Sequence, residues 1–343
     1  MKRFILILIL LIFIGAGFFI FLRPESKKTV SAPKETTPTS TSVQTYVKEN
    51  YTAKNGLIMD YKNTEEPHYL AESIGLYMEY LVEVNDSKTF QKQVNHLEKY
   101  FIAEDNFIKW EATDSTTTNA IVDDFRITEA LYQASEKFSF PSYKKMADKF
   151  LTNTKKYSAE QGVPVDFYDF VHKKKADTLH LSYLNIQAMQ QINYRDKAYL
   201  PIQTINADPF FTEVFQNGQF KFADQKEVNM IDQMLIAIAY YDENGDIEPN
   251  FDNFLQTELA SKGKIYARYQ RETKKPSSEN ESTAVYAFLT QYFNKTNQAK
   301  NGKITKELLE KMDTSNPETT HFFDYINKEI TERSWTNEKA LRT

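Results

Sequence analysis

The sequence predicts an all-α protein folded as an (α/α)6 toroid, in which six inner helices lie inside an outer ring and short β-strands occupy the loops. About twelve segments between residues 44 and 332 repeat apolar side chains at helical spacing, including segments near 178–194 and 209–216. A turn followed by a β-rich run recurs between them every 39 to 56 residues, with about two helices in each interval. Six such units suffice to close a ring. An irregular all-α bundle and an open helical solenoid are the alternatives.

The recurring runs share a Gly or Asn turn followed by alternating or β-branched residues. We expect a short strand in each, placed in a loop between helix pairs. The runs are NGLIMDY at 55–61, DNFIKWEAT at 105–113, QGVPVDFYDF at 161–170, NGQFKFAD at 217–224, KGKIYARYQR at 262–271 and a degenerate NGKIT at 301–305.

The N-terminal segment has the composition of a membrane anchor. Residues 4–22 contain 19 apolar residues without a charge, and a helix of that length rises roughly 28 Å, enough to cross a bilayer core. Arg-Pro-Glu follows directly, without a small-x-small cleavage site, and no lipobox cysteine exists. We therefore predict a signal-anchor transmembrane helix at 1–22. The protein would be a single-pass protein of the cell membrane with its folded domain extracellular, because long domains translocate largely regardless of charge.

The remaining chain divides into a tether and a domain. Residues 23–42, RPESKKTVSAPKETTPTSTS, carry too little apolar surface to fold and are predicted to be disordered. Residues 43–343 would form the toroid.

Composition excludes several classes of function. The chain has no cysteine, which rules out disulfides, thiolate metal sites and cysteine nucleophiles. The net charge is −5 with both signs scattered, so no nucleic-acid partner is predicted. The five histidines lie far apart and no P-loop, G-x-S-x-G or G-x-G-x-x-G motif occurs, so we predict neither a metal nor a cofactor. Carboxylates remain as the plausible reactive groups.

Three carboxylates share one predicted position. Glu72, Asp124 and Asp232 all lie near the N-termini of predicted inner helices. Inner helices of a toroid run in the same direction, so these side chains would converge at one mouth, among loops that carry Trp110 and other aromatic residues (Tyr61 and Phe170). Aromatic faces stack on sugar rings, and two opposed carboxylates with room for water are the apparatus of glycoside hydrolysis.

Each carboxylate also has a structural interpretation. Glu72 would belong to a solvated helix face, Asp232 would cap its helix, and Asp124 would form part of an acidic helix start. Glu79 and Glu83 would share the solvated face with Glu72. Asp123 and Arg126 would belong to the same acidic helix start as Asp124.

Four segments resemble motifs of glycoside hydrolase family 8, in the same order and spacing. AESIGLYM is similar to the segment that carries the general acid, which corresponds to Glu72, with Gly75 allowing substrate or a neighbouring helix to come close. DDFRITEAL resembles a helix whose aspartate holds the sugar at the cleavage subsite, and Asp124 is the best match.

The other two segments correspond to the base. LSYLNIQAM resembles a segment that places a tyrosine, here Tyr183, near the base. NMIDQMLIAIAY is similar to the helix with the catalytic base, which corresponds to Asp232, although Leu235 replaces the usual arginine.

The resemblance implies an inverting endo-glycosidase without metal or cofactor. Glu72 would protonate the leaving oxygen and Asp232 would activate a water, while Asp124, Tyr183 and Trp110 bind the sugar. The implied substrate is a β-1,4-linked polymer, namely the exopolysaccharide that the cell itself secretes in a biofilm. Polymers that contain N-acetylhexosamine are among the candidates. The exopolysaccharide synthesis machinery is an implied partner.

Two other functions remain open. A non-catalytic polysaccharide-binding toroid would guide or retain the polymer at the cell surface. A polysaccharide lyase would need a Tyr/His or Lys/Arg pair that the sequence does not place.

Overall fold

Twelve α-helices dominate the computed structural model, which describes residues 42–342 except 192, 193 and 195. Short 3-10 turns lie at Glu104–Asn106, Leu181–Tyr183 and Asp196–Ala198. The helices are α1 (Val43–Asn50), α2 (Ala71–Glu83), α3 (Ser87–His96), α4 (Ile121–Lys137), α5 (Pro141–Tyr157), α6 (Ile186–Gln191), α7 (Leu200–Thr204), α8 (Met230–Asn244), α9 (Pro249–Lys262), α10 (Thr283–Lys295), α11 (Ala299–Lys311) and α12 (Phe322–Arg342).

Short antiparallel strands lie in the loops, as predicted. They pair as β1–β2, β3–β4, β5–β6–β7 and β8–β9. Their bounds are β1 (Ala159–Glu160), β2 (Val163–Pro164), β3 (Tyr168–Asp169), β4 (Lys174–Lys175), β5 (Thr178–His180), β6 (Val214–Gln216), β7 (Gln219–Lys221), β8 (Glu227–Asn229) and β9 (Arg268–Gln270).

Six helices close a ring. Helix α2 packs against α4, α4 against α6, α6 against α8, α8 against α10, α10 against α12, and α12 returns to α2. Helices α3, α5, α7 and α11 pack on the outside of this ring. Tyr46 of α1 stacks on Tyr325 of α12, and Tyr292 of α10 donates a hydrogen bond to Asp252 of α9. The predicted toroid, with inner and outer helices alternating along the chain, is therefore observed.

The difference between inner and outer helices follows from their sequences. Helix α10, TAVYAFLTQYFNK, is apolar on nearly every side and buries ten of its thirteen residues. Helix α5 is amphipathic and buries only one face, formed by Tyr143, Ala147, Phe150, Leu151 and Thr154. A helix that is apolar all round has to be covered on every side, so it takes the inner ring.

Three local predictions were wrong. The segment 178–194 begins as β5 and a 3-10 turn, because TLHLSY alternates with the period of a strand. Among the described residues of this segment, the α-helix is Ile186–Gln191. A helix near 209–216 is replaced by β6, and the corresponding helix lies earlier, at Leu200–Thr204. The degenerate NGKIT run lies inside α11, where Gly302 packs against the Trp335 ring.

None of the helices within residues 42–342, apart from the three omitted positions, is long and apolar enough to span a bilayer. The predicted anchor at 1–22 lies outside the described residues, as does the predicted tether up to residue 41. From Ser42 onward the chain forms one compact unit.

Gly75 allows two inner helices to approach each other. A Cβ atom at this position would lie 3.1 Å from Cδ of Arg126 and 3.1 Å from Cγ1 of Ile127, both on α4. These distances are shorter than ordinary van der Waals contacts. The glycine of the AESIGLYM segment is therefore explained by a neighbouring helix.

We expect Gly75→Ala to lower the free energy of unfolding, because overpacking costs about 1–3 kcal/mol and the gain in helix propensity is at most about 1 kcal/mol. Gly302→Ala is the matched control, since its Cβ would lie 3.4 Å from the Trp335 side chain, an ordinary contact, and it should be neutral or stabilising. Urea denaturation of the two variants measures the difference. Equal effects would contradict the close approach of α2 and α4.

Candidate active site

First-turn acidic residues lie at one mouth of the ring. They are Glu72 on α2, Asp123 and Asp124 on α4, Asp232 on α8 and Asp324 on α12. Because each inner helix is followed by an outer one that returns the chain, the inner helices begin at the same end of the ring. The first turns that carry these acids therefore meet.

Glu72 is held beside the Trp110 loop. The amide of Ala71 donates a 2.8 Å hydrogen bond to the carbonyl oxygen of Trp110, which fixes the start of α2 against that loop. The Glu72 side chain is 31% exposed, and its Oε1 lies 3.8 Å from Nη1 of Arg126. Glu72 is thus accessible at the mouth, with half-buried Trp110 beside it.

Asp123 is the buried neighbour of Glu72. Its Oδ1 accepts a 2.8 Å hydrogen bond from Nη1 of Arg126, the guanidinium that also approaches Glu72. Burial raises the pKa of Asp123 to about 8; Arg126 lowers it, and the charges of Glu72 and Asp124 raise it. The effect of burial therefore outweighs that of Arg126.

Asp124 does not join this group. Its Oδ2 accepts hydrogen bonds from Nδ2 of Asn119 at 2.6 Å and from Oγ1 of Thr154, on outer helix α5, at 2.9 Å. Burial raises its pKa to about 7 while these two donors lower it. Asp124 therefore links α4 to the outer ring, and the structure brings Asp123, rather than the predicted Asp124, beside Glu72.

Asp232 lies in the first turn of α8, where Asn229 caps the helix by accepting from the amide of Ile231. Burial raises the pKa of Asp232. The side chains of Ser182 and Asn229 and the positive charges of His180 and Arg268 oppose this rise without cancelling it. Leu235, one turn further along α8, is partly buried against the core and supplies no charge. The cations near Asp232 come from β5 and β9.

Sequence reasoning missed the pair formed by His180 and Asp166. The Asp166 carboxylate accepts from the amide of His180 at 2.6 Å, from its Nδ1 at 2.8 Å and from Oγ1 of Thr178 at 2.6 Å. Burial lowers the pKa of His180, but the Asp166 hydrogen bond and the charges of Asp166, Asp232 and Glu213 outweigh it and raise the pKa. Because the two residues are 14 positions apart and meet only across a loop, no local motif reveals them.

Tyr183 lies between the carboxylates of the mouth. It ends the 3-10 turn that follows β5, and its ring lies 5.2 Å from the His180 ring. Burial raises the pKa of Tyr183 well above its usual value, and negatively charged neighbours raise it further, namely Asp166, Asp232, Asp123 and Glu72. The charges of Glu72 and Asp232 therefore both act on the pKa of Tyr183.

Asp324 on α12 completes the set of first-turn acids. The aromatic residues predicted near the mouth, Tyr61 and Phe170, differ in their surroundings. Asp324 accepts from the amide of Ala284 at the start of α10; burial raises its pKa, and the charge of Glu72 adds to the rise. Tyr61 lies edge-on to the His321 ring at 5.0 Å. Phe170 is instead buried and stacks on Phe107 at 5.4 Å, so its ring packs in a small separate cluster.

The raised pKa of Asp124 predicts a pH-dependent cost. Between pH 3.8 and about 7 the Asp124 carboxyl is ionised in the unfolded chain and protonated in the folded chain, so the free energy of unfolding falls as the pH rises. Above about pH 7 the carboxyl is ionised in both states, and the loss of stability stays constant. Asp124→Asn keeps an acceptor for Asn119 and Thr154 and cannot ionise. Its melting temperature minus that of the parent should therefore increase from pH 4 to pH 7 and then level off.

The control for this experiment is Asp114→Asn, which changes an exposed loop aspartate. Its difference from the parent should not vary with pH. If the difference in melting temperature between Asp124→Asn and the parent is equally independent of pH, the result contradicts a buried, protonated Asp124.

Comparisons with known proteins agree with the fold. The chain is 93% identical to PssZ from Listeria monocytogenes, over 88% of this chain and 98% of that one, with a TM-score of 0.85. A Bacillus subtilis (strain 168) protein, the candidate lipoprotein YdaJ, is 27% identical over 99% of this chain and 100% of its own length. No family model matches the chain.

More distant solved structures share the architecture. An α-amylase from Clostridium perfringens is 20% identical over 84% of this chain and 94% of its own, with a TM-score of 0.72. The endoglucanase Cel10 of Klebsiella pneumoniae, a family 8 glycosyl hydrolase, is 12% identical over 84% and 98%, with a TM-score of 0.61. At these identities the likeness is one of fold. The chain belongs to the same family as PssZ, and it shares its fold with the family 8 glycosyl hydrolase Cel10.

Proposed function

We propose that this protein is an inverting endo-glycosidase in which Glu72 is the general acid and Asp232 the general base. The observation that carries the proposal is the position of these two residues in the ring. In the order α2, α4, α6, α8, α10, α12, helix α8 stands opposite α2. A sugar ring bound at the mouth would therefore have one carboxyl on each side, as hydrolysis with inversion requires.

The surroundings of the two carboxyls suit their roles. Glu72 is accessible at the mouth beside Arg126, where it can reach the oxygen of a glycosidic bond. Asp232 must be ionised to accept a proton from water, and four neighbouring side chains oppose the effect of burial on its pKa. We assign the role of holding the sugar to Asp123 in place of Asp124. With a pKa of about 8, the Asp123 carboxyl can donate a hydrogen bond to a sugar hydroxyl as well as accept one.

The electrostatics of the mouth favour an uncharged polymer. Glu72, Asp232 and Asp166 contribute acidic groups around Tyr183, and a polyanionic chain would be repelled by them. We therefore propose a neutral or N-acetylated polysaccharide, and we retain the β-1,4 linkage and the exopolysaccharide of the cell's own biofilm from the family resemblance. Trp110 would stack on a sugar ring near Glu72, where its loop is bonded to the start of α2.

We further propose that residues 1–22 anchor the enzyme at the outer face of the cell membrane, close to the exopolysaccharide synthesis machinery. The Bacillus subtilis relative YdaJ is described as a candidate lipoprotein. This chain has no cysteine to carry a lipid, so its apolar segment 4–22 would take over the attachment.

A second candidate is β-eliminative cleavage, which the proximity of His180 and Tyr183 favours. A lyase of this kind needs a tyrosine that loses its proton readily and a site that neutralises a uronate. Burial and four carboxylates instead hold the pKa of Tyr183 well above its usual value. The site therefore suits hydrolysis better than elimination.

The proposal predicts that Glu72→Gln and Asp232→Asn each abolish hydrolysis without unfolding the protein. The amides keep the shape of the side chains but cannot transfer protons, so the rate should fall by roughly 10²–10⁴-fold or more. Release of reducing ends from purified exopolysaccharide measures the effect, and melting temperatures within a few degrees of the parent confirm folding.

The matched control is Glu79→Gln, the same substitution two turns further along α2, which should retain activity. Substantial activity in either test variant removes that residue from its role. Binding of polymer by the parent without release of reducing ends would indicate the non-catalytic toroid. Unsaturated sugar ends among the products would indicate a lyase.

A further inference from the structure

A carboxylate–imidazole pair, Asp166 and His180, lies beside the proposed base and has no part in the proton transfers described above. Asp166 is buried, and its carboxylate accepts all three hydrogen bonds from the β5 segment: the His180 amide, the His180 ring and the Thr178 hydroxyl. A buried carboxylate is stable only when it is paired or fully hydrogen-bonded. Of these three donors, the His180 ring is the one that can carry a positive charge.

The ring of His180 is fixed relative to α8. The 3-10 turn Leu181–Tyr183 follows His180 directly and packs against α8, and the amide of Leu181 donates a 2.8 Å hydrogen bond to the carbonyl oxygen of Glu213. The neighbouring Tyr183 ring lies 5.2 Å from His180. These contacts hold His180 next to α8, the helix that carries Asp232.

The charged groups around His180 come from three elements. Asp166 faces it from the loop between β2 and β3, Asp232 from α8 and Glu213 from the residue before β6. Glu213 is already paired, since its Oε1 accepts a 2.5 Å hydrogen bond from Nη2 of Arg271. Within the part of the chain that the structure describes, Asp166 and Asp232 have no arginine or lysine bonded to them, unlike Glu213.

A second cation faces Asp232 from another strand. Arg268 on β9 lies opposite Asn229 in the β8–β9 register, and its Nη1 is 3.8 Å from Oε2 of Glu227. Its charge is therefore shared with a half-exposed glutamate. Leu235 adds no charge from α8 itself.

We propose that His180, held by Asp166, is a positioning residue that keeps Asp232 ionised and so competent as a base. The inference rests on the proposed function of Asp232. Asp166 orients Nδ1–H toward itself and stabilises the imidazolium, whose positive charge faces the Asp232 carboxylate. Since a nearby opposite charge lowers the pKa of a carboxyl, the pair offsets part of the cost of burying Asp232.

The test is His180→Gln, which keeps a polar side chain but removes the charge. The pKa of Asp232, followed by carbon NMR of its labelled carboxyl group, should rise by about one unit, the lower end of the effect of a nearby charge. The acid limb of the pH profile of kcat/KM should move to higher pH by the same amount, because that limb reports protonation of the base. KM should change less than kcat. His180→Arg keeps a positive charge at every pH. In this variant the pKa of Asp232 and the acid limb of the pH profile should both stay close to those of the parent.

His172→Gln is the matched control. Nδ1 of His172 lies 2.7 Å from Oδ2 of Asp169, and its amide donates to the same carboxylate at 2.8 Å, but this pair is on the exposed β3–β4 hairpin. This variant should leave the pKa of Asp232 and the pH profile unchanged.

The NMR measurement separates this inference from the proposed function. If the parent protein releases no reducing ends, the proposed function fails, yet the Asp232 pKa still shows whether His180 acts on it. An unchanged Asp232 pKa in folded His180→Gln, or an equal shift in His172→Gln, overturns the positioning role.

Discussion

Closure of the helical ring forces carboxyl groups from different inner helices into one small space. The first turns of α2, α4, α8 and α12 all carry acids, and these turns meet because the inner helices run in the same direction. The positive ends of the helix dipoles favour negative charge there, while removal of water disfavours it. The properties of the mouth follow from the balance between these two effects.

The balance differs from one carboxyl to the next, and this difference makes the site chemically useful. Asp123 is buried deeply enough that its pKa rises to about 8 even with Arg126 bonded to it. Asp232 is surrounded by hydroxyl, amide and cationic groups that oppose the same effect. Burial raises the pKa of both carboxyls, and the groups bonded to each one set how far that rise goes.

Much of this arrangement could be predicted from the sequence because it depends on periodic features. The repeated helix pairs predicted the ring, and the first-turn positions of Glu72 and Asp232 placed them at its mouth. Consecutive residues of a helix point about 100° apart, so the sequence alone could not decide whether Asp123 or Asp124 faces inward. The structure resolves this through Thr154 on outer helix α5, which binds Asp124, and Arg126, which binds Asp123.

Other features could not be predicted because they depend on contacts between distant segments. The strand character of 178–180 was hidden by neighbouring residues with helical spacing, and with it the pairing of His180 with Asp166. Leu235 replaces the arginine of the family motif, so α8 itself supplies no positive charge to Asp232. That charge comes instead from β5 and β9, which reach α8 only in the folded ring.

The stereochemistry of the reaction tests the central claim most directly, that Glu72 and Asp232 act on a sugar from opposite sides with a water between them. Proton NMR of the freshly released product, read before the anomers equilibrate, reports which face the water attacked. For a β-linked substrate, inversion predicts that the α-anomer signal appears first. If the β-anomer appears first, the reaction retains configuration, and Asp232 is not the base that activates water.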